Sequence, residues 1–442
     1  MKDYRPAVTT AQRVIDTYPA ADTGIRRSAW IVVAHGSFEL AEYPPAEHAY
    51  TQVLAVTPEG DKSRAGFVDN LAASIYKQGE AANQAQDYRA AANHFLRIRT
   101  AAPTSGIRAT AEYDAGAALI RLKDWTAAAD ALETFRKDYP KHELQLEATK
   151  QIAHAYRESG QVARAAGEYE RLASESQDET LQRESLLVAG DLYQQSKDRD
   201  RALGVYRHYV DQFPHPVEAA LETHFKIAEI HKAANDAASY RKDLAEIVRI
   251  DAGAGPERTA RTRTLAGRSA LVLAEQVYQD FTAVKLRQPF EKSLQEKKQR
   301  MDAAIETMDG LVAYEIGEVT SAATYYMAET YFDFSRSLTE SERPADLNPA
   351  ELTAYEEALD EEAFPFEEKA IEFHQKNMDM MRAGNFNAWT EKSRGRLAQM
   401  VPGRYAKQEL SNGFLEAIDG YVYRHPVQPV PETKPPAPDK DH

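Results

Sequence analysis

His224 and His231 stand seven residues apart in HFKIAEIHKAANDAASYRKDLAEIVRID, a segment whose apolar spacing predicts helix. On one helical face they lie about 10 Å apart. That is too far to share a metal ion without further ligands, so they read as surface or groove histidines. Glu361 and Glu362 have the type needed for paired acid-base work, but carboxylate pairs are common in a chain with 69 acidic residues. The sequence carries no HExxH, no phosphate-cradling GxxxxGK[ST], no GxSxG elbow and no calcium loop. It has no cysteine, which excludes disulfides, Cys-ligated zinc and thiol catalysis together. Lack of cysteine leaves the compartment open. The residues therefore predict a chain with no catalytic residue, no cofactor and no metal site, and what remains is binding.

Composition narrows the class of partner. A chain of 442 residues exceeds one ordinary core, so several domains or one elongated array are expected. Apolar residues make up 43% and charged residues 28%, enough for folding. The net charge of −15, with no clustered run of Lys and Arg, argues against a nucleic-acid phosphate backbone and against anionic lipid. No window approaches 18 consecutive apolar residues, so no membrane span is expected. The opening MKDYRPAVTT has no apolar core and no small-residue cleavage site, and as written it is not an export signal.

The elements that must carry any binding face recur. RLKDWTAAADALETFRKDYP (Arg121 to Pro140), ESGQVARAAGEYERLASESQ (Glu158 to Gln177) and QSKDRDRALGVYRHYVDQFP (Gln195 to Pro214) follow one another at 37 residues. A small residue returns at Ala128, Ala165 and Ala202. Leu132, Tyr169 and Tyr206 come four later, and Phe135, Leu172 and Tyr209 seven later. This is one helical face, with alanine where a neighbouring helix comes closest. Pro140 and Pro214 stop the helix, with Gln177 between them in register. Upstream of each alanine stand Leu119, Tyr156 and Tyr193, preceded by Gly116, Ala153 and Gly190. A first helix, a short polar turn and a second helix are predicted for each unit.

This order of small residue, Tyr, Ala, aromatic and Pro resembles the tetratricopeptide repeat. Weaker copies supply Tyr88, Ala91, Phe95, Ile98 and Pro103, and Tyr43, Ala46, Tyr50, Val53 and Pro58, so six units are expected over 25–254. The resemblance implies an all-α superhelix whose first helices line a concave groove for peptides or partner helices. Tyr113, His154, Arg157, Glu158, Asp191, Gln194, Gln195, His231 and Lys232 are the positions it places at that groove, as partner contacts or as solvated residues. They lack the concentrated Lys, Asn and Arg clamp of repeats that grip acidic C-terminal peptides. Trp125 shares its helix-entry position with Arg199 and reads as a packing residue.

Outside the regular units the pattern changes. Residues 1–24 contain YRPAVTTAQRVIDTYP, which fits a second helix with no first helix before it. It reads as a capping helix or as the opening of a C-terminal piece of a longer array. Over 255–340 three longer antiparallel helices are expected, the last with an aromatic seam at Tyr325, Ala328, Phe332 and Ser335. Residues 341–410 should form an acidic helix and a degenerate closing unit, in which Gly384 and Asn385 make the turn and Pro402 the stop. The stretch from Glu340 to Glu372 holds twelve acidic and two basic residues, a solvated face or a dock for a basic segment. A proline-rich tail over 424–442 should stay extended.

The regular repeats are similar to those of bacterial envelope proteins such as outer-membrane assembly lipoproteins and the periplasmic coordinator of the Tol-Pal system. EEAFPFEEKAIEFHQKN followed by GNFNAWTEKSRGRLAQMVPGRY resembles the C-terminal region of tetratricopeptide proteins associated with gliding-motility and TonB/ExbB-type machinery. This implies a non-enzymatic periplasmic scaffold, with proteins or peptides of an envelope complex as partners. A cytoplasmic peptide-binding adaptor is the alternative if the chain is not exported, and an enzyme on a helical-repeat scaffold is a third, weaker reading.

Overall fold

The computed structural model describes residues 3–406. The tail expected at 424–442 lies outside them. Among the described residues there are nineteen α-helices and no strand. They form two compact units, divided between Ser269 and Ala270.

The first unit is a chain of helical hairpins. α1 (Tyr4–Thr17) is followed by the pairs α2 (Thr23–Glu39) and α3 (Tyr43–Ala55), α4 (Arg64–Gln84) and α5 (Tyr88–Ala101), α6 (Arg108–Arg121) and α7 (Trp125–Asp138). The remaining pairs are α8 (Gln145–Glu158) and α9 (Val162–Glu175), α10 (Glu179–Gln195) and α11 (Arg199–Gln212), α12 (Val217–Ala233) and α13 (Ala237–Gly253). α14 (Ala260–Ala283) follows.

The turn inside each hairpin follows from two residues. The first takes a left-handed conformation that ends the helix: Gln86 at φ 62°, Lys123 at 62°, Gly160 at 75° and Lys197 at 64°, each 37 residues after the last. In four of the six hairpins the second caps the next helix, whereas Glu42 and Gln161 make no side-chain cap bond. Asp87, Asp124 and Asp198 accept from the amides of Ala90, Ala127 and Arg201 at 3.0, 3.4 and 3.2 Å. Asn235 and Asp236 repeat the device before α13.

Packing within a hairpin depends on the small residue of the first helix. A Cβ added at Gly79, Gly116 or Gly190 would come within 2.5, 2.4 or 2.3 Å of Phe95, Leu132 or Tyr206 on the second helix. Each glycine lets two backbones close around a large side chain, and Leu132, Phe135, Tyr206 and Tyr209 are accordingly sealed in the core. At α8 and α10 a tyrosine then ties the hairpin to the one before. Tyr156 Oη donates to Glu133 at 2.6 Å and Tyr193 Oη to Glu170 at 2.5 Å. Arg164 and Arg201 cover the two rings at 5.2 and 5.6 Å.

The period of the sequence breaks near Gly255, yet the first unit runs on to Ser269. The start of α14 is held to α12, with Arg261 Nε donating to Glu222 at 2.9 Å and Thr259 Oγ1 to Glu218 at 2.6 Å.

The second unit contains the end of α14, then α15 (Phe290–Val312), α16 (Gly317–Thr339), α17 (Pro349–Arg382), α18 (Ala388–Met400) and the short α19 (Pro402–Tyr405). Short connections make α15 and α16 antiparallel. Met308, Leu311, Val319, Ala323 and Met327 close one core between them, and Ala304 and Phe334 belong to a second. In the aromatic seam Ala328 and Ser335 are buried, while Tyr325 and Phe332 are half-buried. Asn348 caps α17 through a reciprocal box with Glu351. The helix runs 34 residues, straight through Pro365, where the solvent-facing side tolerates the lost amide donor.

The glycines give a test with opposite signs. Gly190→Ala should cost about 1–3 kcal/mol through overpacking against Tyr206. Gly204 in α11 has nothing within 4 Å of an added Cβ, so Gly204→Ala should stabilise by about 0.5–1 kcal/mol. Chemical denaturation of the two variants measures both, and equal effects would contradict the close crossing.

Candidate partner-binding face

The first helices α4, α6, α8, α10 and α12 lie side by side, joined by polar contacts across their shared face. Tyr76 Oη donates to Asp114 Oδ2 at 2.5 Å. Gln151 Nε2 donates to Tyr113 Oη at 2.6 Å. Lys226 Nζ donates to Asp191 Oδ1 at 2.5 Å, and Tyr206 Oη reaches the same oxygen. Burial, with the carboxylate alongside, pushes the Tyr76 and Tyr206 hydroxyls well above their ordinary pKa. They remain neutral donors. Between α8 and α10 this ladder gives way to half-buried Leu187 and Val188, which pack on the core.

The residues singled out from the sequence separate into three groups. Arg157 and Glu158 are exposed in the last turn of α8, 3.8 Å apart, and Gln194, Gln195 and Lys232 are exposed at the equivalent ends of α10 and α12. Asp191 is also exposed but is held by Tyr206 and Lys226. The second group is half-buried. The Tyr113 ring packs edge-on against Phe135 at 5.7 Å, and His154 packs edge-on against Trp125 at 5.5 Å. Trp125 is thus a packing residue.

His231 forms the third group and corrects the expectation of a groove histidine. It is 9% exposed, with Nδ1 2.5 Å from Asp243 of α13 and Nε2 3.5 Å from Arg207. His224 is half-buried, and burial lowers its pKa. Among the described residues no three His, Asp or Glu side chains are grouped to hold a metal ion.

Gln194 alone of the exposed group lines a cleft of about 960 Å³ at the hairpin turns of α10 and α12, with Lys197, Asp198, Arg199, Asp200 and Glu229. Its walls carry both signs of charge beside the Ile230 and Ala233 side chains. Such a lining suits an extended polar segment better than an apolar ligand.

Sequence reading missed two buried polar clusters in the second unit. Lys297, 0% exposed, donates to Asp333 at 2.8 Å and to the carbonyls of Phe281 and Val284, both at 3.1 Å. Burial lowers its pKa, opposed by Asp333. The second cluster has the residue types of a catalytic triad. Ser393 Oγ lies 3.1 Å from His374 Nδ1, and Glu329 Oε1 lies 3.2 Å from His374 Nε2. Ser393 and His374 are fully buried, and Ser393 also accepts from Asn377 at 2.8 Å. The hydroxyl is sealed from substrate, and the cluster clamps α16, α17 and α18 together.

Arg396 Nε donates to Glu329 at 2.6 Å. Burial alone would raise the Glu329 pKa, but His374 and Arg396 outweigh it and hold the carboxyl below its ordinary value. The folded pKa thus lies below the unfolded one of about 4.3. Its contribution to stability is complete above that pH and drains away as pH falls through the folded value. Glu329→Gln should lower stability at neutral pH and flatten the acid-side decline in thermal melts taken between about pH 6 and pH 3.

The tetratricopeptide-repeat family model matches residues 110–142, which span the α6–α7 hairpin. No curated protein matches the chain. Solved structures similar to it include Naa15/Naa10 bound to HypK-THB, with 13% identity, TM-score 0.32, and coverage of 90% of this chain and 61% of that one. A tetratricopeptide repeat protein from Parabacteroides merdae shows 12% identity, TM-score 0.25, and coverage of 69% and 98%. BtubC from P. vanneervenii shows 18% identity, TM-score 0.25, and coverage of 52% and 89%. The match at 110–142 falls on the α6–α7 hairpin, whose left-handed turn residue, capping Asp and glycine crossing recur in the α4–α5 and α10–α11 hairpins, so the described residues are all-α and carry a tetratricopeptide repeat at 110–142.

Proposed function

We propose that this chain is a non-catalytic protein–protein interaction scaffold of a bacterial cell-envelope complex. One observation carries the scaffold reading: the exposed strip of Arg157, Glu158, Gln194, Gln195 and Lys232 along the ends of successive first helices. Recurring positions in the core are apolar and sealed, whereas these vary in charge and hydrogen-bonding capacity from hairpin to hairpin. A solenoid uses such a strip to read a partner over several repeats.

The envelope assignment is supported by the likeness of EEAFPFEEKAIEFHQKN and GNFNAWTEKSRGRLAQMVPGRY to envelope-motor tetratricopeptide proteins. These segments, residues 361–377 and 384–405, lie within α17 and across α18 and α19. Among the described residues no helix is long and apolar enough to cross a membrane.

Affinity capture from native bacterial membranes with this chain as bait, followed by mass spectrometry, tests the reading. Envelope proteins should be recovered, and the triple variant Arg157→Ala, Glu158→Ala, Gln194→Ala should lower their recovery by about tenfold, a loss of roughly 1.4 kcal/mol. Recovery of cytosolic proteins alone would overturn the envelope assignment. Recovery unchanged by the triple variant would overturn the strip.

A further inference from the structure

The bond that ties one hairpin to the next changes its chemistry at one junction. Tyr156 donates to Glu133 between α7 and α8, and 37 residues on Tyr193 donates to Glu170 between α9 and α10. After 37 more, between α11 and α12, the same two positions hold Ile230 and Arg207. No tyrosine–carboxylate bond can form there. The residue beside Ile230 takes over the tie: His231 Nε2 lies 3.5 Å from Arg207 Nη2, and His231 Nδ1 lies 2.5 Å from Asp243 Oδ2 on α13.

These contacts fix the protonation of the ring. A guanidinium can only donate, so Nε2 is the bare nitrogen and Nδ1 carries the proton that Asp243 accepts. Only a neutral imidazole holds both neighbours. A second proton, on Nε2, would face the Arg207 cation and end that bond. The same proton strengthens the attraction to Asp243 and suits the last turn of α12, where His231 stands. Acid therefore opposes the contact between hairpins and favours the one within a hairpin. The tyrosine ties lack this response, because burial, with Glu170 alongside, pushes the Tyr193 pKa up to about 12. Asp236 in the turn also faces His231. Two turns back on α12, His224 meets Asp211, Asp243, Glu246 and Arg249 through charge alone. Burial lowers its pKa, so its share of stability is present above the unfolded value of about 6.5 and is lost as pH falls.

We propose that His231 is a proton-sensitive latch between the fifth and sixth hairpins: its neutral ring fastens α12 to Arg207 of α11, and its protonation releases α12 and α13 to shift as one body. The remaining ties permit a shift and not a separation. Val205, Tyr209, Phe213, Ile227 and Ile230 stay in one apolar core, and Lys226 stays on Asp191 of α10. The strip of the proposed partner face crosses this junction between Gln195 and Lys232, so acid changes its register. That consequence rests on the scaffold reading, whereas the latch does not.

A chain without cysteine takes spin labels only where cysteines are introduced. Asp200→Cys with Ala237→Cys, exposed and equivalent positions in the first turns of α11 and α13, spans the latch. Ala163→Cys with Asp200→Cys spans the tyrosine-tied junction before it. Pulsed electron paramagnetic resonance reads both distances with no partner present, so the result is independent of any capture experiment. Between about pH 7.5 and about pH 5.5, the first distance should move or broaden by about 2 Å or more, and the second should stay fixed. His231→Gln offers Arg207 an acceptor and Asp243 a donor without titrating, so it should hold the first distance at both pH values. Arg207→Ala, at an exposed position, should show the shifted distance at both. A first distance indifferent to pH would overturn the latch. So would a shift that survives His231→Gln or Arg207→Ala, one removed only by His224→Gln, or an equal shift at the second junction.

Discussion

The first unit depends on a crossing at which one helix gives up its side chain so that the other can keep a large one. Gly79, Gly116 and Gly190 approach Phe95, Leu132 and Tyr206 so closely that no Cβ fits. Everything periodic in the unit serves that approach. The left-handed residue and the capping Asp set the turn that brings the helices together, and the Tyr156–Glu133 and Tyr193–Glu170 bonds hold the next hairpin in register. The same volume exchange operates between hairpins at α1, where Val8 occupies the space left by Gly36.

This crossing was legible in the sequence because it recurs. Gly116, Ala153 and Gly190 announce the first helix, and Leu132, Tyr169 and Tyr206 the second, through spacing alone. The Lys-Asp pairs at Lys123 and Lys197 proved to be a left-handed residue followed by a cap. Side-chain partners were less legible. His231 keeps the backbone position of a groove residue, but Asp243, outside the repeat motif, draws it inward. Tyr113 is likewise committed to Phe135 and Gln151.

In the second unit the decisive contacts join residues far apart in sequence, and no period reveals them. Lys297 finds Asp333 36 residues away, and Arg396 finds Glu329 67 residues away. Lys297 lay within a charge-rich stretch, EKSLQEKKQR, whose other lysines gave no sign that this one turns inward. Pro365 was equally silent about the helix continuing through it, since its neighbours face solvent. Both clusters are buried and join helices to one another, so they fix helix packing. The proposed scaffold role rests on the exposed, non-recurring ends of the first helices. Function in this molecule is carried by departures from the repeat.

If the hairpins are modular as this packing requires, a whole period can be removed without loss of the fold. Deleting Trp125–Gln161 joins Asp124, a cap, to Val162, the first residue of α9, and removes 37 residues. Circular dichroism melting of that variant is the most direct measurement. The account predicts unchanged helicity per residue and a cooperative melt, while deletion of residues 125–154, which breaks the period, loses both. A 37-residue deletion that unfolds the first unit as completely as the shorter one would contradict it.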